Sequence, residues 1–283
     1  MKNILVPCDF SEPSVDAFRV AINIALKAKA IVHLINVIEL PVMYDTLLMP
    51  VLNFEAAMME EVKEKTENEL KKLIGKYHAE SVKVIADLQF GAPAPKILEY
   101  AQTKSIDIII MGSHGAQGFR EFMIGSNAEK IVRGSTVPVL VVKAYTEGPI
   151  ENIVFPNTLD TERQEDLVNK VKDLQNFFNA KLHIVYINTP LHFTADNITY
   201  ARLADFADRY GIENYTANVY NHPDEEEGII QFADKVRGDL IAIGTHGRKG
   251  IAHLVSGSLA EDVTNHTDKL IWTYSLRNKG EKA

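Results

Sequence analysis

The chain has 283 residues, 46% of them hydrophobic and 24% charged, with a formal net charge of −8. That is enough for two ordinary domains, each able to bury its own core, in a soluble globular protein. The charge divides as −2 over residues 1–147 and −6 over 148–283, so neither half offers the basic stripe that a nucleic-acid partner requires.

Met1-Lys2-Asn3 leads into Ile4-Leu5-Val6, a run too short for a signal peptide but suited to a strand over 2–7. Cys8 is the single cysteine; it excludes an internal disulfide framework and fits a reducing compartment. Ser11 as N-cap, with Pro13 in the first turn, announces a helix over 13–28. Its apolar face is Val15, Phe18, Ile22, Ala25 and Leu26, at helical spacing. A strand at 31–37 follows, then an apolar stretch from Pro41 through Met59 and a helix over 56–77. Methionines and leucines on so long a connection suit a lid or adaptable contact surface, or equally a flap over its own domain. Strands at 81–88, 106–111 and 137–142, with helices near 94–103 and 127–133, complete the first half.

Thr146-Glu147-Gly148-Pro149 reads as a linker, which divides the chain into domains of residues 1–146 and 150–283. The second half repeats the alternation, with strands near 151–156, 182–187, 214–220, 239–243 and 269–274. Asp160 is the expected cap of its first helix, whose stripe is Leu167, Val171, Leu174 and Phe178. The acidic run Asp224-Glu225-Glu226-Glu227 reads as a solvated helix start, favoured by the helix dipole. Runs such as Ile106–Met111 hardly alternate, as expected for parallel strands buried on both faces. Right-handed crossovers then give an α/β fold of two doubly wound domains. No apolar stretch reaches the roughly 18–20 residues of a spanning helix, so a cytoplasmic location without membrane contact is expected.

One glycine pattern occurs twice, 132 residues apart. Gly112-Ser113-His114-Gly115 precedes Gly125-Ser126 by nine residues, and Gly244-Thr245-His246-Gly247 precedes Gly257-Ser258 by nine residues. The same offset aligns Ile97 with Ile229, Asp107 with Asp239 and Ala128 with Ala260. At the front of each half the offset is 149, setting Asn3–Pro7 on Asn152–Pro156, so 17 extra residues lie in the first half between its second strand and third helix. Both loops sit between an apolar strand and a helix, the corner where α/β folds bind phosphates. Glycine there permits positive φ and a close approach of backbone N–H groups to anionic oxygens. Tight turns and helix caps are the alternative reading.

The two loops resemble the ATP-binding signature of the universal stress protein family, G-x2-G-x9-G-[S/T]. Ile4-Leu5-Val6-Pro7-Cys8-Asp9-Phe10-Ser11 and Val137–Val142 resemble that family too, over nearly the whole chain. The resemblance implies, in each half, a five-stranded parallel sheet of order 3-2-1-4-5 flanked by helices. It implies ATP or another adenine nucleotide as ligand, with or without Mg or Mn. Asp9 and the backbone of Val37 would meet adenine, with Gly112, His114, Gly115, Gly118, Gly125, Ser126 and Asn127 around ribose and phosphates. Gly244, His246, Gly247, Gly257 and Ser258 are the counterparts in the second half. Edge-strand pairing of the two domains is also implied, with a homodimer and an unknown protein partner left open.

The second half departs from the pattern, because Thr158 aligns with Asp9 and Ile187 with Val37. Its site is therefore expected to be the weaker one. Asp9 has a second reading, as a loop-ordering or helix-capping carboxylate. His114 and His246 share a slot without a second metal ligand or orienting carboxylate, which favours packing or ribose contact. His33 and His183 align on the second strands and suit a role in the fold. No nucleophile elbow appears, and no lysine precedes Ser126 or Ser258 as a Walker loop requires. The expectation is a nucleotide-dependent switch in a stress response with at most slow ATP hydrolysis. A ligand-free scaffold and a slow nucleotide-handling enzyme are the alternatives.

Overall fold

The computed structural model describes residues 1–39, 52–77, 79–114, 124–159, 164–246 and 258–276. The first half runs β1 (Asn3–Pro7), α1 (Glu12–Ala28), β2 (Ile31–Ile38), α2 (Leu52–Tyr77), β3 (Val84–Phe90), α3 (Pro93–Thr103), β4 (Ile108–Gly112), α4 (Ser126–Gly134) and β5 (Val139–Val142). The second runs β6 (Asn152–Pro156), α5 (Glu165–Phe178), β7 (Lys181–Asn188), α6 (Asp196–Tyr210), β8 (Tyr215–Asn221), α7 (Glu225–Lys235), β9 (Leu240–His246), α8 (Ser258–His266) and β10 (Leu270–Leu276). A short 3-10 turn, Pro190–His192, precedes α6.

The ten strands among the described residues form one sheet of order β3-β2-β1-β4-β5-β10-β9-β6-β7-β8. Each half contributes a parallel block of order 3-2-1-4-5. The blocks meet where β5 and β10 pair antiparallel, Val141 opposite Ile271 and Val139 opposite Thr273. That pairing covers two strand edges that would otherwise template association. It also reverses the sheet direction, so the carboxyl ends of the two blocks, and with them the two glycine corners, point to opposite rims.

The uninterrupted apolar strands require cover on both faces, and both faces have it. On one, Phe18, Ile110 and Leu140 share a core with Phe155, Leu174 and Trp272. On the other, Ile109, Ile131 and Val141 share a core with Ile229, Ile241 and Ile271. Each core runs across the junction, so the halves pack as one body. Asp107 and Asp239 repeat a smaller device, each carboxylate accepting the two backbone N–H groups that open β1 or β6.

Several local expectations are corrected. Leu26 is 44% exposed, because the buried stripe of α1 turns through Ala17, Ala21 and Ile24. Ser11 occupies the N-cap position, but its hydroxyl makes no cap bond to the helix. The strand expected from residue 81 begins at Val84, since the Val82 amide donates to the Ala79 carbonyl in a turn. Asp160 lies outside the described residues, and the N-cap of α5 is Gln164, whose side chain accepts from Nδ2 of the Asn157 side chain at 2.7 Å. Asp224 does cap α7, accepting from the Glu227 amide. The extra length of the first half goes partly into α2, 26 residues against 15 in α6. The apolar stretch 41–50 lies outside the described residues.

Thr146–Pro149 falls in the irregular connection between β5 and β6. That connection is clamped to α1. The Tyr145 amide donates to Asp16, its hydroxyl accepts from Asn23, and Arg19 stacks over its ring at 3.6 Å.

Candidate functional site

In a 3-2-1-4-5 sheet the chain reverses its winding between β1 and β4, and ligands bind at the carboxyl ends flanking that point. Asp9 follows β1 and Gly112 ends β4, so the topology brings both to this crevice. Val37 lies near the end of β2, paired with Gln89 of β3.

The β1–α1 corner is tightly organised. Phe10 has φ 66°, a left-handed conformation costly for a bulky residue and found where surrounding structure enforces it. The enforcing bonds are visible. Asp9 is exposed, and its Oδ1 accepts from the Ser11 amide at 3.1 Å and the Ser11 hydroxyl at 2.6 Å. Buried Asn36 donates to the Cys8 carbonyl at 2.8 Å, and the Cys8 amide donates to the Ile35 carbonyl. Burial pushes the Cys8 thiol up, in spite of the Ser14 hydroxyl 3.5 Å away. Asp9 therefore has the loop-ordering role, which fixes its carboxylate at the crevice.

Gly112 serves packing. A Cβ there would lie 2.8 Å from the Pro13 carbonyl carbon and the Ser14 nitrogen, so glycine lets the first turn of α1 close onto β4. Positive φ is not what this position requires, which corrects the expectation of a turn-forming glycine.

The two ends of the first glycine loop meet. The Gly125 amide donates to the Ser113 carbonyl at 2.7 Å, and the Ser113 amide donates to the Val142 carbonyl at 2.9 Å. The Ser113 hydroxyl lies 3.0 Å from Nδ1 of half-buried His114. Gly125 is the N-cap of α4, Ser126 and Asn127 form its first turn, and no side chain caps it. Gly115 and Gly118 lie outside the described residues.

The second corner is built differently. Leu159 repeats the positive φ, at 62°, but here Asn157 Oδ1 accepts the Leu159 amide at 2.7 Å. Thr158 stands in the place of Asp9, and its carbonyl accepts from Arg202 at 3.2 Å. Gly244 does not end its strand, contrary to expectation. β9 continues through Thr245 and His246, paired with Ser275 and Leu276 of β10. The longer β10 supplies the partners that β5, ending at Val142, lacks. The hydroxyls of Thr245 and Ser275 are buried without a hydrogen-bond partner among the described residues. Ser258 opens α8; Gly247, Gly257 and the side chain of His246 fall outside the described residues.

His33 and His183 hold the fold. His33 ties β2 to β1 through Nε2 and Asn3 and to α3 through Nδ1 and Tyr100, while His183 ties β7 to β6 through Asn152 and to β8 through Thr216. Burial pushes both imidazoles down and the Tyr100 hydroxyl up to about 12. Among the described residues no three His, Cys, Asp or Glu side chains gather as a metal site, and no helix is long and apolar enough to cross a membrane.

Sequence reasoning missed Asn265. This residue of α8 reaches across the junction and accepts the Ile124 amide at 2.5 Å, while Lys143 donates to its carbonyl at 2.6 Å. The contact spans 141 positions, and no periodicity signals it.

Comparison with known proteins agrees with this duplicated architecture. The profile of the Universal stress protein family matches residues 1–143 and again 149–272. Universal stress protein MJ0531 of Methanocaldococcus jannaschii is 34% identical over 142 residues, covering 50% of this chain and 82% of that protein. Universal stress protein MJ0577 of the same organism is 32% identical over 153 residues, covering 50% and 94%. A crystal structure of a universal stress protein from Archaeoglobus fulgidus matches 99% of this chain and 97% of its own, with a TM-score of 0.74 at 19% identity. With its family profile matched twice in succession, the chain belongs to the universal stress protein family and carries the family's α/β domain in tandem.

Proposed function

We propose that the protein binds an adenine nucleotide, ATP in the first instance, at the carboxyl-end crevice of its first half. The observation that carries this is the stem of the first glycine loop. The Gly125–Ser113 bond sets the uncapped start of α4 at the end of β4, one strand from the β1 corner that carries Asp9. Amides opening a helix without a side-chain cap present partial positive charge, and phosphate oxygens are suitable partners. Asp9, steadied through Oδ1, would accept from the exocyclic amine of adenine, and Val37 would supply backbone. A magnesium or manganese ion would travel with the triphosphate.

The second half supports a weaker site. It lacks the Asp9 carboxylate and keeps Gly244 within a strand. Binding would act as a switch: nucleotide orders the glycine loop of the domain formed by residues 1–146, and a partner protein in a stress response reads the changed surface. Hydrolysis would be slow at most, because the loop holds phosphates without a Walker lysine or an evident general base.

Calorimetric titration of nucleotide-stripped protein with ATP and magnesium tests this. One tight site per chain, lost in Gly115→Val, is the expected result. Two equal sites would remove the ranking of the halves. No heat and no melting shift would overturn nucleotide binding and bring a ligand-free scaffold forward. That second reading is favoured by Leu191 and Phe193, 90% and 71% exposed before α6, where a protein partner could dock.

A further inference from the structure

The stem of the first glycine loop is completed by the other half of the molecule. Two consecutive amides leave the loop before α4 begins. Gly125 donates within its own domain, to Ser113. Ile124 donates to the Asn265 side chain, at the carboxyl end of α8. Both residues of this second bond are buried, each 8% exposed. Asn265 is itself held from the first half, through Lys143 at the end of β5. The antiparallel β5–β10 junction creates this meeting, since it lays the carboxyl end of α8 beside the amino end of α4.

We infer that Asn265 is a positioning residue for the nucleotide site of the first half, acting across the domain junction through the Ile124 amide. This inference rests on the nucleotide-binding reading above. The chemistry is specific. A buried N–H needs an acceptor, and the amide oxygen supplies one within a residue of the helix start that would receive phosphate. With the Gly125 amide already bonded to Ser113, fixing the Ile124 amide fixes the direction in which the next ones, of Ser126 and Asn127, point. Pre-organisation of this kind lowers the ordering cost of binding.

The equivalent position on α4 carries different chemistry. The residue 132 positions earlier, at the equivalent place on α4, is Arg133. A guanidinium has no acceptor, and that of Arg133 pairs with Glu129 of its own helix at 2.9 Å. The second half therefore steadies the first through an acceptor that Arg133 cannot offer in return, which gives a less nucleotide-competent domain a reason to stay fused. Its contribution is an acceptor delivered in trans.

The test is ATP titration of the stripped full-length chain carrying Asn265→Leu, similar in size but without an acceptor, beside Asn265→Asp, which keeps one. Asn265→Leu is expected to weaken ATP binding by about 5- to 20-fold and to release the Ile124 amide to hydrogen exchange, with Asn265→Asp within about twofold of wild type. Trp272→Leu serves as a control that loosens the same junction away from the stem; its ATP affinity should hold at temperatures where it is folded. If Asn265→Leu fails to fold, Asn265→Ser, too short to reach Ile124, takes its place. Wild-type affinity in the acceptor-less variant, beside a wild type that binds ATP, overturns the positioning role alone. A loss of affinity equal in Trp272→Leu and Asn265→Leu assigns the effect to general loosening and also overturns it. A wild type that fails to bind ATP overturns the nucleotide reading, and the positioning role with it.

Discussion

The β1–α1 corner of the first half and the β6–α5 corner of the second have one backbone path and two chemistries. Both force a bulky residue, Phe10 or Leu159, into positive φ, and both fasten the turn with an acidic or amide side chain. In the first, that side chain is Asp9, one residue past the buried Cys8. In the second it is Asn157, one position earlier, and Thr158 follows with its carbonyl tied to Arg202. The fastening has moved by one residue, and the carboxylate at the crevice has gone with it. The β4 and β9 corners differ in the same sense: β4 stops at its glycine while β9 runs two residues beyond. Duplication preserved the turn because the fold needs it, and the chemistry at its tip diverged because the fold does not.

The largest effect that would break the comparison lies at the paired glycines. In Gly112→Ala the new Cβ meets backbone of Pro13 and Ser14 at 2.8 Å, which cannot yield without lifting α1 off the sheet. In Gly244→Ala it meets Leu167 Cδ2 at 2.5 Å, the end of a side chain that can turn. Overpacking against fixed backbone should cost about 3 kcal/mol and against Leu167 about 1 kcal/mol. Urea midpoints at unchanged m measure both; equal costs would show that the two helices sit on their strands alike.

The next effect concerns affinity. Losing a charge-assisted bond from Asp9 should weaken ATP binding by roughly 10- to 100-fold in Asp9→Ala. Thr158→Ala should leave it within about twofold, since Thr158 engages Arg202 through backbone. Titration of the two variants side by side decides it. Unchanged affinity in Asp9→Ala would confine the carboxylate to fastening its turn.

The sequence announced the parts that depend on local pattern. Continuous apolar runs located inner strands such as β1, β4 and β5 to within a few residues, because parallel strands covered on both faces have no polar side to show. Gly125-Ser126 marked the start of α4, since a helix N-terminus carries its own composition. What stayed hidden depends on distant partners. Gly112 reads as a turn glycine until Pro13 is placed against it, 99 positions away in the chain. Leu26 fits the apolar stripe of α1 by spacing, but the buried face runs through Ala21, Ile24 and Ala25 and leaves it exposed. Asn265 looks like any amide near a helix end, and its role follows from the antiparallel junction, which only the resemblance implied. Asp160 had the right chemistry for a cap, yet Gln164 fills the position because it also ties back to Asn157.

The smallest effect sharpens the comparison by asking where the halves stay alike. His33 and His183 bridge equivalent strands, and burial lowers both from an ordinary value of 6.5. For His33 the charge of Lys104 adds to this, and for His183 that of Lys181. A lowered imidazole is neutral in the fold and binds its proton more readily once unfolded. The unfolded state then holds more protons as the pH drops below 6.5, so stability is complete above that value and declines beneath it. Unfolding midpoints should fall between pH 7 and pH 5, and the slope should shrink in His33→Gln and in His183→Gln by similar amounts. Glutamine cannot titrate yet still reaches its neighbours, which separates the proton from the hydrogen bonds. A slope that survives one substitution and vanishes with the other would show that the divergence of the halves extends past the crevice into the sheet itself.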